Sequence, residues 1–404
     1  MGVAVKFSKD NLETVGKALE AVNDVFGGNV PYKDIAQGVA DLAGAGFVVK
    51  LLFGAGGDTD SKLDQIKEKL AQLDRKVDEL GKNMQKNFDS MKDFITENNF
   101  ISEVVVPSDV LLSHLKNTLS NPNDANFEMF KNAAPPHVRP QNLTSRFKFE
   151  STNPIKMAMK ADVLKKAATF DGWRQIIDTT LMELIFIECH YNGMFGDDLS
   201  QPEETLADVV RFDDQVAEWR DEYKKSASYW PTGVLDLVQR VQDNNIGSSN
   251  TDKATLVKKE LEEVLTTDAF YILVSNVDAR KRLWYIRNAD QFVESPDRGG
   301  CSIAVYRSLA ACTASQEQWN TLDTTVKSFK GNNLNYLGSG QLDRLKANEH
   351  CGFGWVSENE FELKIGSANL EARETGPGCW VPVGLAWELP VSRVAEATLL
   401  GALV

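Results

Sequence analysis

The chain has 404 residues, of which 42% are hydrophobic and 25% are charged, so it has enough apolar side chains for the cores of two or three domains. Its 58 acidic residues outnumber its 44 basic ones, and the formal net charge at pH 7 is −14. Nucleic-acid binders need a basic surface to neutralise phosphates, so no nucleic-acid partner is predicted. The same charge disfavours adsorption to anionic lipid, and any membrane affinity is expected to come from apolar surface or from a receptor.

The N-terminus and the hydropathy pattern bear on where the protein works. Residues 1–6 lack the long apolar core of a secretion signal, and no run of about 18 apolar residues predicts a constitutive membrane-spanning helix. Two localisations stay open. One is a secreted, extracellular mature form that reaches a target-cell membrane, and the other is the cytoplasm.

The most apolar stretch runs from residue 35 to residue 53, and its only charges are Asp41 and Lys50. Glycines flank it, at Gly27 and Gly28 before it and at 54–57 after it. As a helix it would span about 28 Å at about 1.5 Å per residue, close to the roughly 30 Å core of a bilayer. We therefore predict membrane insertion through its apolar residues, which are Ile35, Val39, Leu42, Phe47, Val48, Val49, Leu51, Leu52 and Phe53. The alternative is a buried core helix.

A heptad pattern follows in residues 61–97. Apolar residues alternate spacings of three and four in the series Leu63, Ile66, Leu70, Leu73, Val77, Leu80 and Met84. This pattern is typical of a long helix whose seam packs against other helices, and it predicts the rod of an elongated bundle. A dimeric coiled coil is the alternative.

Further along, helical patterns continue to about residue 266 and strand-like patterns follow. Apolar, β-branched and aromatic runs predict strands at 270–274, 282–286, 302–306 and 360–365, with one helix at about 316–329. The predicted fold class is α+β, with an elongated N-terminal helical bundle over residues 1–267 and a β-rich C-terminal domain over residues 268–404. The first is predicted to insert into membranes, and the second to recognise a receptor or a membrane.

Catalytic, cofactor and metal motifs are missing from the sequence. The four histidines include no pair with the spacing of a helical zinc site, and there is no nucleophile elbow or phosphate-binding loop. We therefore expect no enzymatic activity, no cofactor and no metal.

Cysteines and tryptophans of the C-terminal region provide the other candidate residues. Four of the five cysteines, Cys301, Cys312, Cys351 and Cys379, fall there and predict two disulfides in an oxidising compartment. Bonds from Cys301 to Cys312 and from Cys351 to Cys379 are one arrangement, other pairings are open, and four reduced thiols are the alternative. The aromatic rings that are candidates for contact with a sugar or a lipid interface are Trp355, Trp380 and Trp387, and core packing is their alternative.

The order of these features resembles a known family. An N-terminal helix, the apolar stretch at 35–57, the heptad helix with its string at 62–70, a helical bundle and a β-rich tail are similar to the jellyfish pore-forming toxins and the rapunzel-type proteins. A more distant resemblance is to the helical domain of insecticidal crystal toxins. The resemblance covers about the first 270 residues. It implies a protein that oligomerises on a cell membrane and inserts helices to form a pore.

The function predicted from the sequence is accordingly that of a pore-forming, toxin-like protein. Its expected partners are membrane lipid or a membrane receptor, including a glycan, and further copies of itself on the membrane. An adhesion or lectin-like binding protein and a structural coiled-coil protein are the alternatives.

Overall fold

The computed structural model describes residues 100–120, 123–133, 140–195, 201–276, 282–309, 316–327, 339–349, 351–358, 363–368, 385–389 and 397–403. The apolar stretch at 35–53 and the heptad at 61–97 lie outside these residues, so their helices stay predictions. The chain divides into two compact units. The first holds the described residues up to Ala161 together with Ala168–Arg220, and the second holds Asp162–Ala167 and the described residues from Asp221 onward.

The first unit is helical. After a π-helical turn at Ile101–Val105, its helices are α1 (Val106–Ser120), α2 (Asp124–Ala133), α3 (Pro140–Arg146), α4 (Pro154–Ala161), α5 (Ala167–Phe195) and α6 (Gln201–Lys225), the last two with their ends in the second unit. Local signals set the helix starts. The Asn153 side chain accepts a hydrogen bond of 3.1 Å from the backbone N–H of Lys156, and Pro154 occupies the first helical position of α4.

The second unit combines helices with antiparallel strands. Its helices are α7 (Thr232–Asn244), α8 (Asn250–Glu262), α9 (Gln316–Lys327) and α10 (Ser339–Ala347). Its strands are β1 (Ala269–Asn276), β2 (Arg282–Ile286), β3 (Phe292–Arg298), β4 (Cys301–Ser308), β5 (Cys351–Glu358), β6 (Leu363–Ala368), β7 (Leu385–Leu389) and β8 (Ala397–Leu403). The order of the first sheet is β3-β4-β1-β6, and that of the second is β2-β5-β8-β7.

Strands β4 and β1 form the centre of the first sheet, and one face of the sheet carries the core of the unit. Strands β1 and β4 pair in register from Ala269 opposite Ser308 to Asn276 opposite Cys301. Alternate residues of both strands are buried together with apolar residues of α7 and α8, namely Val234, Leu237, Val238, Ala254, Val257, Leu261, Phe270, Ile272, Val274, Cys301, Ile303 and Val305. Two amphipathic helices therefore form a layer over one face of the sheet.

The fold class predicted from the sequence is wrong. The described residues are mostly helical, and the small central sheet is not part of a separate β-rich domain, because α7 and α8 share its core. The periodicity of these helices shows that each has an apolar face, but it does not show whether a helix or a sheet covers that face. The elongated N-terminal bundle with its long heptad helix is not seen in the part of the chain that the structure describes.

Candidate functional site

The residues predicted to act in recognition and insertion are only partly described. The whole insertion segment, from Ile35 to Phe53, lies outside the described residues, and so do Trp380, Cys312 and Cys379. Trp355 lies on β5 opposite Trp284 of β2, and Trp387 lies on β7 opposite Leu399 of β8. The second sheet therefore places Trp355 and Trp387 on the two strands that pair with β8, one on each side of it.

The cysteines of the described residues give no support to the predicted disulfides. Cys301 and Cys351 carry buried, reduced thiols. Both begin a strand of the second unit, β4 and β5 respectively. The alternative of reduced, buried cysteines agrees with these two positions.

Helix α5 carries many of the buried residues of the helical unit. Its buried residues are Phe170, Trp173, Ile176, Ile177, Thr180, Leu181, Glu183, Leu184 and Ile187. The ring of Trp173 meets Phe100 edge-on at a centroid distance of 5.9 Å, and Tyr191 meets Phe130 of α2 at 6.1 Å. Burying each large apolar side chain contributes about 1.5–3 kcal/mol, so these residues of α5 are a large part of the core of the helical unit.

Ion pairs join α5 to α6 along the edge of this apolar contact. The Arg174 guanidinium lies 2.5 Å from the Asp213 carboxylate and 3.3 Å from that of Asp178. Arg220 binds Asp171 through both guanidinium Nη atoms, and its charge also lies 5.5 Å from the ring of Phe170. The pairs are partly exposed, so each contributes little to stability, but together they set the register of the two helices.

Within the described residues, no helix is long and apolar enough to cross a membrane.

A polar cleft of about 480 Å³ lies beside α6 in the helical unit. Phe212, which stacks on Phe147 at a centroid distance of 4.7 Å, gives it an apolar wall. Side chains of both charges line it, Lys148 and Arg211 with Asp214 and Glu218 among them. Such a mixture of charges gives the cleft no net preference for an anion or a cation.

The second unit buries a charged cluster that the sequence analysis missed. The Tyr229 hydroxyl donates a short hydrogen bond to the Asp268 carboxylate, and an Arg307 Nη1 lies 3.7 Å from the same carboxylate. The Arg307 guanidinium also lies 5.2 Å from the centre of the Trp230 ring. Burial first, and then the charge and hydrogen bond of Asp268, raise the pKa of Tyr229 above its ordinary value.

Arg307 is unusual in this cluster because it is only 7% exposed while its Nε and Nη1 atoms have no hydrogen-bond partner among the described residues. The cost of burying the Arg307 guanidinium is offset by the charge of Asp268 and by the face of the Trp230 ring. One signal in the sequence marks this residue, since Arg307 directly follows the apolar run Ile303–Tyr306 of a buried strand. The cluster is packed rather than open, so it stabilises the junction of β1, β4 and the residues before α7.

Among the described residues, no group of three or more histidine, cysteine, aspartate or glutamate side chains is arranged to hold a metal ion.

A family model described as "Protein of unknown function (DUF684)" matches residues 68–387. The chain belongs to the DUF684 family. The match begins inside the heptad and extends through both units into β7. No curated protein matches the chain, and no solved structure matches it. The description of the DUF684 family assigns no activity.

Proposed function

We propose that this DUF684 protein permeabilises membranes, as a pore-forming, toxin-like protein that binds membrane lipid or a membrane receptor and oligomerises there. The observation that carries the proposal is the stretch 35–53, which has two charges in nineteen residues, is flanked by glycines and is followed by the heptad at 61–97. A helix of this length matches the bilayer core. Glycines at both ends allow the backbone change that a movement into lipid requires.

The helical unit supports the proposal by the way in which it keeps apolar surface out of water. A protein that meets a membrane from solution must cover its apolar helices until it arrives. Helix α5, with its buried residues inside a layer of other helices, is an example of such covering. Its own charges, which include Asp171, Arg174 and Glu183, make α5 a supporting element rather than the inserting one.

Release of a trapped dye from vesicles tests the proposal. The full chain is added to vesicles of neutral lipid, of anionic lipid and of lipid extracted from animal cells, and release is followed by fluorescence. We expect release from at least one of these preparations. Binding to vesicles without release would instead favour the adhesion or lectin-like alternative, and neither binding nor release from any of them would contradict membrane activity.

A matched pair of variants then tests the segment. Val48→Asp places a charge inside the proposed insertion helix, which costs about 2.5–3.5 kcal/mol near the bilayer centre and should lower release by about 60- to 300-fold. Val110→Asp makes the same substitution on α1, where the side chain is already 49% exposed, and should leave release unchanged. Circular dichroism must show that both variants are folded. Equal release by Val48→Asp and the unchanged protein would exclude 35–53 as the inserting element.

A further inference from the structure

A buried lysine points at a buried thiol in the second unit. Lys253 of α8 is only 2% exposed, and Cys301 at the start of β4 is fully buried. The Lys253 Nζ lies 3.5 Å from the Cys301 Sγ, and it also donates a hydrogen bond of 3.1 Å to the carbonyl oxygen of Gly299. No carboxylate of the described residues forms an ion pair with Lys253, although a buried ammonium group normally has one.

Gln242 of α7 completes this polar cluster and leaves one of its own atoms unsatisfied. Its Nε2 donates to the carbonyl oxygens of Ser295 and Cys301, at 3.0 and 2.9 Å, and lies 4.0 Å from the Cys301 Sγ. The Gln242 side chain is fully buried, and its Oε1 has no hydrogen-bond partner among the described residues. The cluster therefore has a spare acceptor, the Gln242 Oε1. The Cys301 thiol is only a weak S–H donor, whereas the S–OH group of an oxidised cysteine donates strongly.

The cluster also lies next to the surface. Cys301 directly follows the turn of the β3–β4 hairpin, where Arg298 and Gly300 are exposed. Cys301 itself is fully buried, so a molecule as small as hydrogen peroxide reaches it when this two-residue turn opens. Once inside, it meets a thiol whose nearest nucleophile is an amine held at 3.5 Å. Holding two reacting groups so close raises their effective concentration by orders of magnitude.

The geometry points to an oxidative modification site in which the Cys301 Sγ becomes bonded to the Lys253 Nζ. Hydrogen peroxide first oxidises the thiol to a sulfenic acid, which places an OH on sulfur and releases one water. The Lys253 ammonium group then gives one proton to water, the lone pair of the resulting amine attacks sulfur, the S–O bond breaks, and the hydroxyl leaves as water with one further amine proton. The sulfur loses two electrons overall, and peroxide is reduced to two waters.

The product is a sulfenamide bond that links α8 to β4, and two equivalents of an external thiol return the amine and the thiol as they form a disulfide. This site is independent of the proposed membrane activity. Its substrate class is small peroxides. Its effect is a reversible covalent link between one helix and the sheet that it covers.

Peptide mapping of the peroxide-treated full chain tests this inference. After remaining thiols are blocked and the chain is digested, we expect a crosslinked pair of peptides that contain Lys253 and Cys301. Its mass should lie about 2 Da below the sum of the two peptides, and dithiothreitol should separate them. A treated chain in which Cys301 remains a thiol, or in which Cys301 gains oxygen without a crosslink to Lys253, would overturn the inference.

Two variants sharpen the test. Lys253→Arg keeps the positive charge and the hydrogen-bond donors but has no nucleophilic amine, so Cys301 should accumulate as the oxygen adduct without a crosslink. Cys351→Ala removes the second buried, reduced cysteine among the described residues of the unit and should leave the crosslink in place. Crosslinking in Lys253→Arg at the level of the unchanged protein would show that another group captures the sulfur. If this variant does not fold, the mapped crosslink in the unchanged protein still decides the outcome.

Discussion

The Ser108 hydroxyl, in the first turn of α1, donates a hydrogen bond of 2.6 Å to the Glu183 carboxylate in the middle of α5. Ser108 is fully buried, and Glu183 is only 3% exposed. A carboxylate that is removed from water needs hydrogen-bond donors from the protein. The Ser108 hydroxyl supplies one of them and so links α1 to α5.

Ser108→Ala should therefore lower the free energy of unfolding of the helical unit by about 1–3 kcal/mol, because the buried carboxylate loses a donor. Urea unfolding followed by the fluorescence of the buried Trp173 and Trp219 measures the change. Ser113→Ala, on the same helix but exposed, should change it by less than about 0.5 kcal/mol. Equal losses in the two variants would show that the bond to Glu183 contributes nothing specific.

Gly299 and Gly300 form the turn of the β3–β4 hairpin, beside Lys253 and Cys301, and alanine substitutions test whether each position requires glycine. Both have positive φ, +58° and +79°. A Cβ on Gly299 would overlap the carbonyl oxygen of Gln242, whereas a Cβ on Gly300 would meet nothing within 4 Å. Gly300→Ala should cost only the strain of a left-handed backbone, about 1–2 kcal/mol, and Gly299→Ala should cost roughly 1–3 kcal/mol more through the clash.

Thermal or urea unfolding of the two alanine variants, compared with the unchanged protein, measures this difference. Both substitutions add the same methyl group to neighbouring positions of one turn, so each is the control for the other. If Gly300→Ala were as destabilising as Gly299→Ala, the close approach of α7 to the hairpin would not be what requires glycine at position 299.

Tyr229 should make the stability of the second unit sensitive to alkaline pH. Burial and the neighbouring Asp268 raise its pKa in the folded state, so the neutral phenol is the native form. The contribution of the neutral Tyr229 phenol to the free energy of unfolding is fully present below the pKa of the unfolded state, about 10. It is lost as the pH rises above about 10, because the phenol of the unfolded chain then ionises more readily than that of the folded chain.

Tyr229→Phe should consequently flatten the fall in stability above about pH 10, as measured by urea midpoints across the alkaline range. Some dependence should remain, since burial also raises the pKa of Tyr306. The variant should also be less stable at neutral pH, because the Asp268 carboxylate loses the hydroxyl donor. Superimposable pH profiles for the variant and the unchanged protein would contradict this assignment.

Several elements were predictable from the sequence because their signals are local. The strands predicted at 270–274, 282–286 and 302–306 are confirmed as β1, β2 and β4, and the helix predicted at 316–329 is confirmed as α9. Pro107, Pro202 and Pro231 each lie at or next to a helix start, at α1, α6 and α7. The membrane function, the heptad helix and the insertion segment stay predictions.

What the sequence by itself determined is the acidic balance of the chain, the apolar stretch 35–53, the heptad, and the type of those elements whose periodicity or proline lies within a few residues. Only the tertiary structure decided that α7 and α8 cover the central sheet rather than join a bundle, and that Tyr229 meets Asp268 and Lys253 meets Cys301. Tyr229 and Asp268 are 39 residues apart, and Lys253 and Cys301 are 48 apart. Contacts at such separations depend on which apolar faces pack together, and a pattern of hydrophobic residues shows that a face must be buried without identifying the surface that buries it.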